Sequence, residues 1–413
     1  MDRQTRKMRR VYYGLIVAFS VLIVLGLVNV FSSTFVGDRM IGNTYYHLIR
    51  QVIILFIGVV PALFVYRVDY TFWRRHLGII CFITVTLLVL VFIAGIHING
   101  ARRWLGIGFF TFQPSELAKL VGVIYTATIL SQLLDKDKPV ELVHAMSHKK
   151  KAPAWKRWKL KPERALWIPL VLAILVAKQP DAGTAIVILL IPVIMVIASG
   201  AHISKAKLPI LVAVSMGLIY TLSAVYRRNR LISWIDPWSY EKTLGYQTVQ
   251  GLIAIGSGGI TGQGVGTGVS KFSYLPEAHT DFAFAIFAQE WGLIGSIVML
   301  SLFAVIVYCG CMCALHALDK YGMLLALGST LYIGGQGFIN IGMVSGLLPV
   351  VGVPLPFISY GGTSLIVNMA AAALLLNIAK KNLNEAAREA QMSARVTTLP
   401  SMKEETKSQF PLH

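Results

Sequence analysis

Apolar residues in this chain come in long unbroken runs, near residues 11–31, 48–66, 77–96, 116–134, 165–177, 183–200, 208–225, 282–314, 321–345 and 361–379. A stretch of about 20 apolar residues is the length an α-helix needs to cross the hydrocarbon core of a bilayer. A helix that is apolar on every side belongs in lipid or in a protein core, not at a water boundary. The runs therefore predict an all-α polytopic membrane protein with about ten transmembrane helices, in one continuous domain over residues 11–380. The fifth run is short and the ninth is rich in glycine.

The polar segments between the runs set the orientation. Basic residues collect in the N-terminus MDRQTRKMRR (residues 1–10), in YRVDYTFWRRH, in the loop 135–164 with SHKKKAPAWKRWKLKPER, in AHISKAK and in the tail 381–413. They alternate along the chain as cytoplasmic loops do, which predicts both termini inside and a large extracellular loop, residues 226–281, between helices seven and eight. The first apolar run is too long for a signal-peptide core and has no small-residue cleavage site near its end, so it is expected to stay as the first helix. Composition agrees: 413 residues, 55% hydrophobic, only 14% charged. The net charge of +19 then follows from the basic cytoplasmic loops, which can also touch anionic lipid headgroups, and does not call for a nucleic-acid partner. Cys309 and Cys313 share a helix face while Cys311 points away, so the three do not form one tetrahedral metal site and are read as packing residues.

With that topology the outer side carries charges where Lys and Arg are normally sparse. Arg102 and Arg103 stand in NGARRWLGIG, Lys178 and Asp181 in KQPDAGT, Arg227, Arg228 and Arg230 before Asp236, and Glu277, His279 and Asp281 in YLPEAHTDF. A guanidinium is a planar fork of donors that matches phosphate oxygens, so a lipid diphosphate fits this surface; pairing with neighbouring carboxylates or headgroups is the competing reading. Glu116 and Lys119 in QPSELAKL lie three apart at a helix start, either as an ion pair or as the lining of a polar cavity between helices. Asp281 either caps the eighth helix or stands free beside a capping Thr280. Glu290, about 13 Å further along the axis, is expected to meet Lys119 or a backbone donor. The glycines of AIGSGGITGQGVGTGVS follow no strand, which argues against a nucleotide loop and for a compact re-entrant or surface loop approaching lipid or substrate. The uncharged PLPFISYGGTS, with Ser359, is expected to line the same cleft as Asp281. Neither HExxH nor a nucleophile elbow occurs, and nothing points to a tightly held metal.

In order along the chain, NGARRWLGIG, FQPSELAKL, KQPDAGTA, the run from RLISWIDPW through GYQTVQGLIAIGSGGITGQGVGTG, YLPEAHTDFAFA and PLPFISYGGTS resemble the SEDS family (shape, elongation, division and sporulation) of bacterial cell-wall polymerases. The likeness spans roughly residues 10–380 and is closer to the division-type FtsW branch and its sporulation relatives than to the RodA elongation branch. It implies a peptidoglycan glycosyltransferase that polymerises lipid II into β-1,4 glycan strands on the outer face of the cytoplasmic membrane, at the division septum. Its partners would be lipid II, the growing strand, a class B penicillin-binding protein and other divisome membrane proteins. The family pattern puts the catalytic residue at Asp281 and the substrate-binding outer cavity at Arg102, Arg103, Glu116, Lys119, Lys178 and Asp181; Arg230, His279 and Ser359 complete the candidate set. No cofactor is required, although a loosely bound divalent cation such as Mg²⁺ bridging the diphosphate is compatible. The chain departs from the pattern at Ala283, where a larger aliphatic is common, and at Gln289–Glu290, where two glutamates are common, so a role needing paired carboxylates there is in doubt. A flippase for the same lipid would spread ionisable groups along the membrane path; here they crowd toward one face, which favours an enzyme.

Overall fold

A computed structural model describes residues 2–98, 100–107, 110–136, 162–200, 225–271 and 275–398. Its longer helices are α1 (Arg3–Met40), α2 (Tyr46–Arg67), α3 (Leu77–Ala94), α4 (Pro114–Lys136), α5 (Trp167–Lys178), α6 (Ala182–Ala198), α7 (Val225–Ile235), α8 (Tyr246–Ser257), α9 (Ala283–Leu315), α10 (Lys320–Val344) and α11 (Gly362–Thr398). Nine of the ten apolar runs correspond to α1–α6 and α9–α11. Of these, α1, α2, α3, α4, α9, α10 and α11 are long and apolar enough to cross a membrane, and α6 is a shorter apolar helix. The run 208–225 lies outside the described residues but for Val225, as do most of the basic loop 135–164 and the tail beyond residue 398.

Helices α4, α10 and α11 form the centre of the bundle, while α2 and α3 turn most of their surface outward, with Phe56, Val60, Phe82 and Ile93 bare. Lipid tails are as apolar as these side chains, so hydrophobicity alone cannot hold such helices together and polar contacts must contribute. Asn377 of α11 donates to the carbonyls of Tyr66 at 2.7 Å and Val68 at 2.8 Å, closing the end of α2. Asn382 donates to the Cys313 carbonyl at 2.8 Å, and the hydroxyls of Tyr12 and Tyr66 meet at 2.6 Å.

Two features depart from an uninterrupted helix count. The segment between α3 and α4 is a small antiparallel sheet, β1 (Ile96–Ile98), β2 (Ala101–Ile107) and β3 (Phe110–Phe112), in the order β1-β2-β3. Gly100, at φ 75°, makes the first turn. Thr363 at the start of α11 accepts from Gln113 N at 2.9 Å and donates to Thr111 O at 3.2 Å, which fixes β3 to the bundle.

The second feature is a break in α9 at Gly292 (φ 66°, ψ −164°). A helix interrupted at membrane depth leaves amides and carbonyls that no water can satisfy. The glycine-rich segment after α8 supplies the partners: Gln263 N and Gly264 N donate to the carbonyls of Gln289 and Glu290 at 3.0 Å each, while Leu293 N and Ile294 N donate to Gly259 O at 2.9 Å and Ile260 O at 3.1 Å. A Cβ at Gly262 or at Gly292 would run into the opposing backbone. The glycines do form a compact loop, and it packs on the chain's own broken helix while leaving Ile260 and Val265 exposed.

Candidate active site

A cavity of about 630 Å³ opens at the end of the bundle where the sheet meets the starts of α4, α6, α9 and α11. Asp281, Arg103, Glu116, Asp181 and Arg230 line it, together with Gln113, Glu277, Tyr360 and Thr363.

Asp281 lies just before α9 but does not cap it; no side chain does. The Thr280 hydroxyl donates instead to the Glu277 carboxylate at 2.6 Å. Both capping alternatives are therefore set aside, and the Asp281 side chain lines the cavity. Its backbone is held from behind. Asn340 in α10 donates to the carbonyls of Asp281 at 2.8 Å and Val353 at 2.7 Å. Ser359 donates to Thr280 O at 2.6 Å, and Tyr360 N donates to His279 O at 2.8 Å. A Cβ at Gly352, whose φ is 71°, would stand 3.2 Å from an Asp281 carboxylate oxygen. Burial, reinforced by the neighbouring Glu277 and Asp181 carboxylates, pushes the Asp281 carboxyl up to about 7, against the pull of Arg230 and Arg103.

Backbone carbonyls help hold both arginines: Arg103 donates to the carbonyls of Gln179, at 3.2 Å, and Pro180, and Arg230 donates to the carbonyl of Val350 at 3.2 Å. Asp181 accepts from Thr184 N at 3.2 Å and so caps α6; its other oxygen accepts from Gln113 at 3.3 Å and Ser115 at 3.4 Å. Below the floor, Lys119 is 1% exposed. It pairs with Glu116 at 2.8 Å, donates to Gln336 at 2.7 Å and lies 5.4 Å from the Tyr332 ring centre. Gln336 follows a π turn at Leu331–Gly335 in α10, and such widenings let a side chain reach out of the helical register.

Of the remaining candidates, His279 and Ser359 stand behind the wall. The His279 ring packs 5.7 Å from the His47 ring and 5.9 Å from Tyr360, and burial, with His47 beside it, holds its pKa below the ordinary value. Arg102 and Lys178 are exposed and lie outside the cavity walls; successive side chains on β2 point to opposite faces, so Arg102 cannot accompany Arg103.

Sequence reasoning also missed a buried network. Lys271 pairs with Glu290 at 3.0 Å and donates to Ser32 at 3.2 Å, and Ser32 donates to Glu290 at 2.5 Å. This corrects the expected partner of Glu290, which is neither Lys119 nor a backbone donor. The adjacent Gln289 donates to Ser257 at 2.8 Å. Lys271 stands in a polar-looking stretch outside the apolar runs, so nothing in its surroundings marked it as buried. The signal for Gln336 and Asn340 was present: uncharged polar residues inside an apolar run must find partners. Among the described residues no three His, Cys, Asp or Glu side chains come close enough together to hold a metal ion.

Residues 13–384 match the family model described as cell cycle protein, FtsW/RodA/SpoVE. Stage V sporulation protein E of Bacillus subtilis is 37% identical over 372 residues, covering 89% of this chain and 96% of that protein. The probable peptidoglycan glycosyltransferase FtsW of Geobacter metallireducens is 36% identical over 359 residues, covering 86% and 91%. A solved structure described as the structural coordination of polymerization and crosslinking by a peptidoglycan synthase complex aligns with a TM-score of 0.67 at 25% identity, over 90% of this chain and 98% of that one.

Proposed function

Because the chain belongs to the FtsW/RodA/SpoVE family of cell cycle proteins, we propose that it is a multi-pass peptidoglycan glycosyltransferase that polymerises lipid II at the outer face of a bacterial cytoplasmic membrane. The observation that carries this reading is Asp281, a cavity-lining carboxylate with a pKa of about 7 flanked by Arg103 and Arg230. A carboxylate so tuned is half ionised near neutrality, where a general base combines the right protonation state with the greatest basicity.

In the reaction, the 4-hydroxyl of the N-acetylglucosamine of incoming lipid II attacks the anomeric carbon of the strand's terminal N-acetylmuramic acid. The new C–O bond forms as the bond to the diphosphate breaks, and undecaprenyl diphosphate leaves with the electron pair. Asp281 takes the hydroxyl proton. An α-linked diphosphate becomes a β-1,4 bond, so one displacement with inversion suffices. The base contributes about 10²- to 10⁴-fold. Negative charge grows on the leaving diphosphate, and Arg103 and Arg230, already fixed by carbonyls, stabilise it more in the transition state than in the ground state. Arg102 and Lys178, exposed outside the cavity, suit a later stretch of glycan or the headgroup region. A divalent cation such as Mg²⁺ would arrive with the diphosphate.

On this reading residues 1–10 and 381–413 are cytoplasmic, 226–281 lie outside, and 11–380 form the membrane domain. Septal synthesis is supported by the naming of relatives for FtsW and sporulation. A class B penicillin-binding protein as partner is supported by the solved relative, whose complex couples polymerization to crosslinking. The broken α9 is a feature that a flippase would share. In this chain the break is closed by backbone hydrogen bonds and the nearby Lys271 and Glu290 bond each other, which favours an enzyme.

The test is glycan-strand formation from purified lipid II in detergent, with the cognate transpeptidase present, comparing wild type with Asp281→Asn. Strands from wild type and none from a folded Asn protein support the assignment. Equal rates would move the base elsewhere, and no strands from either would favour transport or scaffolding.

A further inference from the structure

The far end of the molecule, about 45 Å along α1 from Asp38, carries a second polar cavity unconnected with the glycosyltransferase reading. Five cations, Arg3, Arg6, Lys7, Arg9 and Arg10, open α1, and Arg9 lies apart from the other four, over the Tyr13 ring. At about 100° per residue, Arg3, Arg6, Lys7 and Arg10 fall within an arc of about 100°, while Thr5 points the other way and donates to Ala386 O of α11 at 3.1 Å. The four line a cavity of about 510 Å³ whose other walls are Val11, Tyr308 and Cys309. It lies where α1 and α9 diverge: one turn further, at Gly14, a Cβ would stand 3.3 Å from Cys309 Sγ.

Among the described residues, no carboxylate lines this cavity. Asp2 accepts from Gln4 N of its own helix at 3.2 Å, and Lys7 meets the His316 ring at 3.5 Å. Cations in the first turns of a helix stand at the positive end of its macrodipole, the unfavourable end for them. The usual bias of Lys and Arg in membrane proteins explains their presence near a helix end. It does not explain four of them on one arc around a cavity with an apolar wall.

We propose that this cavity binds the headgroup of an anionic phospholipid, the phosphodiester held by Arg6, Lys7 and Arg10 and the acyl chains running along Val11 and Tyr308. The shared chemistry is a phosphate oxygen met by guanidinium forks and an ammonium. An inorganic ion would use the cations alone. The apolar wall begins at Val11, where the membrane run of α1 starts, and Tyr308 is 60% exposed beside it, the interfacial position that amphipathic aromatic rings favour.

The test is native mass spectrometry of the full-length protein titrated with phosphatidylglycerol, with phosphatidylcholine and, separately, with inorganic phosphate. Wild type is expected to keep one phosphatidylglycerol and no phosphatidylcholine, with millimolar phosphate failing to displace it. Losing two cations in Arg6→Gln/Arg10→Gln weakens retention roughly thirtyfold, taking each cation near an anionic headgroup at its usual worth. Arg74→Gln/Arg75→Gln, on a separate basic turn, leaves retention unchanged. If the double variant does not fold, raising ionic strength on wild type is the second measurement, and it must release the lipid. Equal retention of the two lipids, unchanged retention in the double variant, salt-insensitive binding, or displacement by inorganic phosphate would each overturn the proposal.

Discussion

Replacing Asp281 with Asn should make the protein more stable at alkaline pH and leave it little changed at acid pH. An aspartate whose folded pKa is raised has its charged form disfavoured by the fold, so stability falls as pH rises from the unfolded value toward the folded one. With the carboxyl raised from 3.8 to about 7, the full linkage is about 4 kcal/mol above pH 7, at 1.36 kcal/mol per pH unit. Asp281 is only partly buried, and retained water reduces this, so roughly 2–3 kcal/mol is expected between pH 4.5 and pH 8. Asn has nearly the same shape and no charge, so other titrating groups largely cancel between the two proteins. Thermal unfolding in one detergent at both pH values reads the gap directly. A gap that does not change with pH would show that Arg103 and Arg230 balance burial, and a wild type that gains on the variant as pH rises to 8 would show that they outweigh it. The same group should give strand synthesis an acid limb centred near pH 7, measured as kcat/KM.

Arg103→Ala and Arg230→Ala should each lower kcat about 10²- to 10³-fold, the usual loss for a donor aimed at developing charge; polymerisation rates at saturating lipid II check this. Lys271→Met should destabilise by about 3–5 kcal/mol, because it leaves Glu290 as an uncompensated buried charge, and adding Glu290→Gln should recover most of that; thermal unfolding of single and double variants measures the coupling. Gly292→Ala should cost at least about 1–3 kcal/mol from its backbone conformation alone, with the collision against the 260–262 segment added. Gly256→Ala, where a Cβ meets nothing within 4 Å, should be nearly neutral in the same melt.

The membrane helices were legible because lipid imposes one length and one polarity on them, and the charged motifs were legible because charge near a membrane is costly. What stayed hidden depends on contacts distant in sequence. Nothing near Arg102 and Arg103 reveals which faces the cavity until β2 exists to alternate them. The three strands were missed since Ile96–Ile98 continues the apolar run of α3 and gives no period of its own. The glycines of the 258–268 segment looked like a loop, but their partner, a helix broken at Gly292, carries no proline or turn sequence that marks the break. Glu290 was given the wrong partner because Lys119 is already taken by Glu116 and Gln336, an exclusion visible only once α4 and α10 are side by side.

The arrangement of charges around Asp281 also says how the site should respond to its substrate. In the free protein the carboxylates of Glu277 and Asp181 raise its pKa while Arg230 and Arg103 lower it. On the proposed mechanism a bound diphosphate would engage the two guanidinia and bring negative charge of its own, so both changes would push Asp281 upward and make it a stronger base once the leaving group is in place. The pH profile of kcat/KM reports the free enzyme and that of kcat the complex. The acid limb of kcat should therefore lie above the limb near pH 7 seen in kcat/KM, and Arg103→Lys, which keeps the charge but loses the fork, should preserve the direction of that displacement while lowering the rate. A kcat limb at or below the kcat/KM limb would mean that the diphosphate sits away from Arg103 and Arg230, and that these arginines act on the base alone.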